Sequence, residues 1–164
     1  MQLLIVRHAA AMPRGTPGIP DDQRPLTPEG RAKFRVAARG LARIVDRPDV
    51  LLTSPLPRAR ATAEIAARAF KGVEAQVEPA LAGESVDGII VALTKLPKEA
   101  TVAIVGHEPV LSSLLARFLG ASQGERLAFK KGGGALVDLP KGPAAAGQLI
   151  WFLKPRILRA LADD

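Results

Sequence analysis

Short runs of branched apolar residues alternate along this chain with longer segments in which apolar residues recur every three or four positions. The short runs are typical of buried strands, and the periodic segments are typical of helices with one buried face. These patterns predict strands at 3–6, 50–53, 73–77, 101–105, 135–139 and 149–153, and helices at 28–45, 57–70, 86–96, 108–119 and 155–161.

Strands that alternate with helices predict βαβ units, in which parallel strands are covered by helices on both faces. The last two strands are joined by a short turn, so we expect them to form an antiparallel pair near the C-terminus. The predicted fold class is therefore α/β, a three-layer α/β/α sandwich with a mostly parallel sheet. The length of 164 residues, without an internal repeat or a linker, predicts a single domain over residues 1–164.

The composition excludes several classes of protein. A hydrophobic content of 48% with 24% charged residues is not that of a disordered chain. No apolar run approaches the roughly 20 residues that span a bilayer, and no basic segment precedes the first strand as in a signal peptide. The lack of cysteine excludes disulfides and thiolate metal sites and fits a reducing compartment. We therefore expect a cytoplasmic protein that does not enter a membrane.

The net charge of +7 at first suggests a nucleic-acid-binding protein. Such proteins usually cluster Lys and Arg on one face and offer aromatic side chains for stacking. Here the arginines are dispersed along the sequence, tyrosine is absent, and the aromatic residues are five Phe and one Trp. An anionic small molecule or a phosphorylated protein accounts for the charge equally well, and we expect no nucleic-acid partner.

Two segments rich in glycine or proline predict irregular structure. Residues 12–25 form a surface loop of a length that often carries function. The glycine triplet at 132–134 is followed by a strand rather than a helix and lacks a lysine-serine ending, so it is not a Walker phosphate loop. We expect a flexible turn there, with Lys130 and Lys131 in solvent beside it.

Both histidines of the chain follow an apolar strand. His8 comes after the first strand with Arg7 beside it, and His107 comes after the strand at 101–105. Arg58 lies in the first turn of the helix that follows the strand at 50–53. In open α/β sheets, ligands bind outside the carboxyl ends of the strands. The four side chains would therefore share one site if the three strands are neighbours.

Two arginines and two histidines favour an oxyanion as the ligand. Burying a guanidinium without a partner is costly, so we expect Arg7 to face a cleft that holds an anion. Guanidinium groups bind phosphate in a bidentate manner, and a neutral imidazole can attack phosphorus to give a phosphohistidine. A zinc site is a poorer interpretation, since no carboxylate motif accompanies the histidines. A serine hydrolase is also disfavoured, because Ser54 lacks a G-x-S-x-G context.

Four motifs, taken together and in this order, resemble the histidine phosphatase superfamily: R-H at 7–8, L-T-x-x-G at 26–30, S-P-x-x-R-A at 54–59 and G-H at 106–107. The short length and the R-P-L-T segment at 24–27 are similar to the SixA-type phosphohistidine phosphatases in particular. Ala9 and Ala61 depart from the glycine and the glutamine that the family usually has at these positions.

The resemblance implies a phosphoglycerate mutase-like fold and a covalent mechanism. His8 would be the nucleophile that becomes phosphorylated. Arg7, Arg58 and His107 would form the phosphate pocket, without a metal or an organic cofactor. Separately from the resemblance, Arg24 in the loop before the first helix either adds a further positive group to the pocket or lies at the surface.

The general acid has two candidates. Glu84 follows the strand at 73–77, where many superfamily members place a glutamate, and could equally complement the dipole of the next helix. Asp21 lies three residues before Arg24, similar to the SixA loop, and could instead form a turn with Asp22. An imidazole leaves phosphorus more readily than an alkoxide, so the lack of a clear acid favours phosphohistidine as the substrate.

We therefore predict a phosphatase that acts on protein phosphohistidine through a phosphorylated His8. The alternatives are a phosphatase for small phosphomonoesters and a module that binds phosphoproteins without catalysis. The expected partner is a phosphorylated protein of the histidine-phosphotransfer type or a small phosphorylated molecule. We expect the protein to be a monomer.

Overall fold

The computed structural model describes residues 1–162 and contains one six-stranded sheet. The strands are β1 (Gln2–Arg7), β2 (Val50–Thr53), β3 (Ala75–Val77), β4 (Thr101–Gly106), β5 (Gly134–Asp138) and β6 (Gln148–Leu153). They lie in the order β3-β2-β4-β1-β5-β6. The first four strands are parallel, whereas β5 is antiparallel to both of its neighbours. A mostly parallel sheet with an antiparallel C-terminal pair is thus confirmed.

In the described part of the chain, five α-helices cover the two faces of the sheet: α1 (Pro28–Ile44), α2 (Pro57–Ala69), α3 (Val86–Thr94), α4 (Val110–Leu119) and α5 (Pro155–Ala160). Successive side chains of β1 point to opposite faces. Leu4 and Val6 are buried against α1, α2 and α5, whereas Leu3 and Ile5 are buried against α3 and α4. A strand buried on both faces appears in the sequence as an unbroken apolar run. The three-layer α/β/α architecture is confirmed.

The start of α1 is set by a cap and by a close backbone approach. Oγ1 of Thr27 accepts a hydrogen bond from the N–H of Gly30 at 2.9 Å, and Pro28 occupies the first helical position. A Cβ at Gly30 would overlap the carbonyl oxygen of Ala10. The L-T-x-x-G segment therefore holds the start of α1 against the chain that leaves β1.

The order of the strands determines which strand ends meet. β2, β4 and β1 are adjacent and parallel, so their carboxyl ends lie at the same edge of the sheet. Arg7 pairs in register with Gly106, and the N–H of His8 donates to the carbonyl of Gly106 at 3.0 Å. The segments that carry the two histidines are thus joined directly by backbone hydrogen bonds.

Some local predictions were wrong. The turn predicted at the glycine triplet is present at residues 131–132, but residues 132–134 are buried, because the N–H of Gly132 donates to the carbonyls of Arg7 and His8 at 3.1 Å. The strand predicted at 73–77 is confined to Ala75–Val77, at an edge where it pairs with β2 alone. The loop at 12–25 contains a 3₁₀ turn at Asp21–Gln23, and α4 begins at Val110 rather than at 108. No helix among residues 1–162 has both the length and the apolar character to cross a membrane.

Candidate active site

A cavity of about 360 Å³ lies at the edge where β1, β4 and β2 end. The structure brings together there the four side chains expected to share a site: Arg7 ends β1, His8 follows it, His107 follows β4, and Arg58 is the second residue of α2. The cavity is lined by Arg7, His8, Pro13, Arg14, Arg24, Arg58, His107, Glu108 and Lys131.

His8 is buried, with 5% of its surface exposed, and its ring has a defined orientation. Its Nδ1 lies 2.7 Å from the carbonyl oxygen of Ala9. Because a carbonyl can only accept, Nδ1 carries the proton and Nε2 keeps its lone pair. The ring centroid of His107 lies 5.1 Å away, with the two rings tilted by 52°. His8 therefore offers an unprotonated nitrogen beside the second imidazole.

Both imidazoles are neutral at neutral pH. Burial lowers the pKa of His8 to about 3, and the neighbouring His107, Arg58 and Arg7 act in the same direction. Burial, followed by the charges of Arg58 and Arg7, lowers the pKa of His107 to about 4. The neutral form of an imidazole is the one that can attack an electrophile.

His107 is held by the segment that joins β2 to α2. Its Nε2 lies 2.7 Å from Oγ of Ser54, a fully buried residue that also accepts from the N–H of Leu56 at 3.2 Å. Nδ1 of His107 is buried and has no hydrogen-bond partner among the described residues. The sequence offers Ser54 only as a poor nucleophile, whereas the structure shows that it orients His107.

Arg7 and Arg58 supply positive charge and unused donors. Nη1 of Arg7 donates to the carbonyl of Phe129 at 2.7 Å, and Nη1 of Arg58 donates to the carbonyl of Asp21 at 2.8 Å. The buried Nε groups of both arginines have no partner within residues 1–162. A buried N–H without a partner costs about 1–3 kcal/mol, so the arrangement favours an anion that accepts from these groups. Burial lowers the pKa of both guanidinium groups, which still carry their charge at neutral pH.

Asp21 lies beside the cavity and binds its arginines. Oδ1 of Asp21 accepts from Nε of Arg24 at 2.9 Å and lies 3.1 Å from Nε of Arg14. Desolvation acts to raise the pKa of Asp21, but the hydrogen bond and charge of Arg24, with the charges of Arg14 and Arg58, outweigh it and lower the pKa. An ionised carboxylate has no proton to donate. The geometry therefore favours a role in holding arginines over a role as general acid.

Arg24 lies where the sequence placed a further positive group. It is 6% exposed, and its Nη1 donates to the carbonyl of Met12 at 2.7 Å. Lys131 also lines the cavity, although its side chain is exposed as expected. Together with Arg7 and Arg58, these side chains make the wall of the cavity strongly positive.

The structure does not bring Glu84 to this cavity. Glu84 is exposed in the segment before α3 and is not among the residues that line the cavity. The carboxylate in the lining is Glu108, whose Oε1 accepts from the N–H of Ser112 at 3.1 Å. The charge of Glu108 raises the pKa of Arg7 against the effect of burial. Its position directly after His107 is the one sequence signal that points to it.

Thr62 is a further residue that the sequence does not reveal. Its Oγ1 accepts from the N–H of Ala9 at 3.0 Å and donates to the carbonyl of Arg58 at 2.7 Å. Thr62 is fully buried, so it links the residue after His8 to α2 from inside the fold. A threonine that donates to the carbonyl four residues earlier is a local helix pattern, but its contact with Ala9 is not local.

The residues of this site are suited to binding an oxyanion. Among residues 1–162, no three His, Asp or Glu side chains are grouped so as to hold a metal ion. The cavity instead combines arginines, a neutral nucleophilic nitrogen and a second imidazole. A tetrahedral anion could accept hydrogen bonds from the arginines while its central atom faces Nε2 of His8.

Comparison with known proteins agrees with this chemistry. A family model described as the histidine phosphatase superfamily (branch 1) matches residues 3–83. An uncharacterised protein of Picosynechococcus sp. is 33% identical over 147 residues, which cover 88% of this chain and 87% of that protein.

Two solved structures are similar over nearly the whole chain. The protein histidine phosphatase SixA complexed with tungstate matches with a TM-score of 0.82 and 28% identity, over 96% of this chain and 99% of that one. A protein of Agrobacterium tumefaciens assigned as a SixA phosphohistidine phosphatase matches with a TM-score of 0.78 and 27% identity, over 94% of this chain and 97% of that one. The chain therefore belongs to the histidine phosphatase superfamily and is of the SixA type.

Proposed function

We propose that this protein hydrolyses phosphohistidine in other proteins through a phosphorylated His8. The observation that carries the proposal is the free Nε2 of His8, in a cavity where buried N–H groups of Arg7 and Arg58 lack partners. Membership of the superfamily supports phosphatase activity. Similarity to a protein histidine phosphatase supports the substrate, and the tungstate bound to that protein is a tetrahedral oxyanion like phosphate.

The reaction takes two displacements. In the first, the lone pair on Nε2 of His8 attacks phosphorus, the bond from phosphorus to the substrate imidazole breaks, and that imidazole takes up a proton from solvent. Arg7, Arg58 and His107 stabilise the charge on the phosphoryl oxygens. In the second, water attacks phosphorus, the bond to Nε2 breaks, and inorganic phosphate leaves while the proton of the water passes to solvent.

Neither of the two carboxylates predicted as general acid is suited to that role, which supports phosphohistidine over a phosphate ester. Asp21 is ionised and bound by arginines, and Glu84 lies outside the cavity. Glu108 lines the cavity, with one of its oxygens occupied by the N–H of Ser112. A substrate imidazole needs less protonation to leave than an alkoxide does. The proposal includes a cytoplasmic phosphorylated carrier protein as the partner, in keeping with a sequence that has no cysteine.

A phosphatase panel tests the proposal. Its substrates are a phosphorylated histidine-containing carrier domain, free phosphohistidine and a sugar phosphate. We expect phosphate release from the first two, and an acid-labile label on the wild-type protein that His8→Ala abolishes together with turnover. Arg117→Ala, an exposed arginine of α4, is the control and should behave like the wild type.

Each alternative has its own outcome in the same panel. A label that persists in His8→Ala would show that another residue is the nucleophile. Turnover of the sugar phosphate alone would identify a small-molecule phosphomonoesterase. Binding of the phosphorylated domain without phosphate release would identify a recognition module.

A further inference from the structure

A second cationic concavity lies on the face that α1 and α2 form. It consists of two adjoining grooves, of about 340 and about 620 Å³, that share Arg39, Ala69 and Lys71. We name it the α1–α2 groove. Among residues 1–162, one acidic side chain, Asp46, lines it, against six basic side chains: Arg35, Arg39, Arg43, Arg47, Arg68 and Lys71.

The α1–α2 groove is separate from the catalytic cavity. Its lining includes Gln2, the first residue of β1, whereas His8 follows the last residue of that strand. At about 3.3 Å per residue, the two ends of β1 are on the order of 20 Å apart. The described linings of the α1–α2 groove and the catalytic cavity have no residue in common. A ligand in this groove would leave the cavity at His8 open.

Three arginines of the groove, together with Arg31 outside it, are spaced so that they destabilise α1. Arg31, Arg35, Arg39 and Arg43 follow one another at four-residue spacing along α1, and like charges at this spacing destabilise a helix. The one acidic residue in the sequence of α1 is Glu29, which pairs with Lys33 instead.

Lys71 adds a second cost, in the backbone. It directly follows the C-cap of α2 and has a φ of 52°, in the left-handed region where glycine is the usual residue. The dipole of α2 favours a cation at this position, but it does not require the left-handed backbone that the lysine adopts there.

Most of these cations also form no ion pair with another described residue. Cations near the C-termini of helices interact favourably with the helix dipole, which accounts for Arg43 and Arg68. It does not account for Arg35 and Arg39 in the middle of α1. Within residues 1–162, no ion pair is formed by Arg35, Arg39, Arg47, Arg68 or Lys71.

We propose that the α1–α2 groove binds an acidic, amphipathic segment of a partner protein. The floor between the cationic rims is apolar, formed by Ile65 and Ala69, and would accept an apolar side chain of the partner. Carboxylates at every fourth position of a partner helix repeat at about 6 Å, the same repeat as the arginines along α1. Guanidinium groups pair with carboxylates in good geometry.

Two other polyanions fit this groove less well. The aromatic residue in its lining, Phe70, is 5% exposed and cannot stack on the bases of a single-stranded nucleic acid. A membrane surface would need exposed apolar side chains that can enter the bilayer. The large apolar side chains exposed on the described surface are Val77, Val91, Leu149, Ile150 and Ile157, and none of them lines the groove.

A binding assay with a defined probe tests this proposal independently of phosphatase activity. The probe is a fluorescent helical peptide of about 15 residues with glutamates at every fourth position and leucines beside them. We expect it to bind the wild-type protein, and Arg35→Glu/Arg39→Glu to weaken binding about tenfold or more. Lys95→Glu/Lys98→Glu makes the same change of net charge at two exposed lysines around the end of α3, and should leave binding nearly unchanged.

The remaining outcomes overturn the proposal. They are no measurable binding of the peptide, an equal loss in the control variant, and groove-dependent binding of duplex DNA or of vesicles with anionic lipid that is tighter than that of the peptide. A stability measurement separates binding from a structural role. Arg35→Glu/Arg39→Glu and Lys71→Gly should each raise the denaturation midpoint of the protein and weaken its binding of the peptide. A lower midpoint in the arginine variant would show that the two arginines stabilise the fold, which contradicts the proposal.

Discussion

Hydroxyl groups that need not touch the substrate hold the reactive residues of this site in place. Ser54 binds Nε2 of His107, and Thr62 binds the backbone N–H of the residue after His8. Both hydroxyl-bearing residues are fully buried, so neither can exchange its partner for bulk water. We therefore expect them to affect catalysis by positioning other groups, which a kinetic measurement can separate from an effect on stability.

Replacement of Ser54 tests this positioning role. Ser54→Ala should lower kcat/KM about tenfold, because the ring of His107 loses the group that orients it. The lost buried hydrogen bond should also cost about 1 kcal/mol in the free energy of unfolding. Ser112→Ala is the matched control, since Ser112 is buried and its Oγ donates to the carbonyl of Pro109. Equal losses of kcat/KM in the two variants would contradict the role of Ser54.

Asp21 can be tested as an acid and as a holder of arginines in one experiment. Asp21→Asn should raise KM about threefold or more and change kcat little, because it releases Arg24 and Arg14 without removing a proton donor. Asp22→Asn is the control, since Asp22 is exposed and forms no ion pair within residues 1–162. A kcat that falls most for substrates with poor leaving groups would instead identify Asp21 as the general acid.

At the scale of elements, two glycines of α1 allow the backbone of neighbouring segments to approach the helix closely. Gly30 lies against the carbonyl of Ala10, and Gly40 lies so close to the carbonyl of Leu158 in α5 that a Cβ would overlap it. Gly30 lies in the first turn of α1 and Gly40 in its second half, and both are buried. They are retained there despite the low helix propensity of glycine because the neighbouring backbone leaves no room for a side chain.

Substitution of Gly40 measures how much this close approach matters. Gly40→Ala should lower the free energy of unfolding by about 1–3 kcal/mol, since the clash with α5 outweighs the gain in helix propensity. Gly88→Ala, in the first turn of α3, meets its nearest atom at 3.6 Å and should be neutral or stabilising. Urea denaturation of both variants gives the comparison. A stabilised Gly40→Ala would show that α5 is not held against α1.

The elements that the sequence predicts well are those with a local signature. β1 and α1 appear as an apolar run and as a periodic stripe, because burial on two faces and on one face leave those patterns. The order of strands in the sheet has no such signature. The prediction that His8 and His107 lie together therefore depends on the motifs and on the resemblance to a known family. The burial of the glycines at 132–134 has no local signature, because their backbone partners include Arg7 and His8. The positioning contacts of Ser54 and Thr62 have none for the same reason, since their partners are distant in sequence.

At the scale of the whole molecule, two buried neutral imidazoles make the fold sensitive to acid. In the folded state the pKa of His8 is about 3 and that of His107 about 4, below the ordinary value of 6.5 that an unfolded chain restores. Below pH 6.5 the unfolded chain binds protons that the folded chain does not, so stability decreases as pH falls. Above pH 6.5 neither state binds these protons and the effect is absent.

This linkage predicts a slope that can be measured before most carboxylates titrate. Between pH 6.5 and about 5, the free energy of unfolding should fall by up to about 1.4 kcal/mol per pH unit for each imidazole. Urea midpoints across this range test it, with His8→Asn/His107→Asn as the variant expected to show a flatter profile. A wild-type profile without slope would mean that the imidazoles are protonated or exposed in the folded protein.

The pairing of β1 with β4 also has a consequence for biosynthesis. Because the reactive groups come from strands separated by most of the polypeptide, no nascent fragment that ends before β4 can assemble them. We therefore expect a growing chain on the ribosome to be inactive until β4 has emerged and paired with β2 and β1. The chain length at which phosphatase activity first appears during translation would show when β4 has joined the sheet.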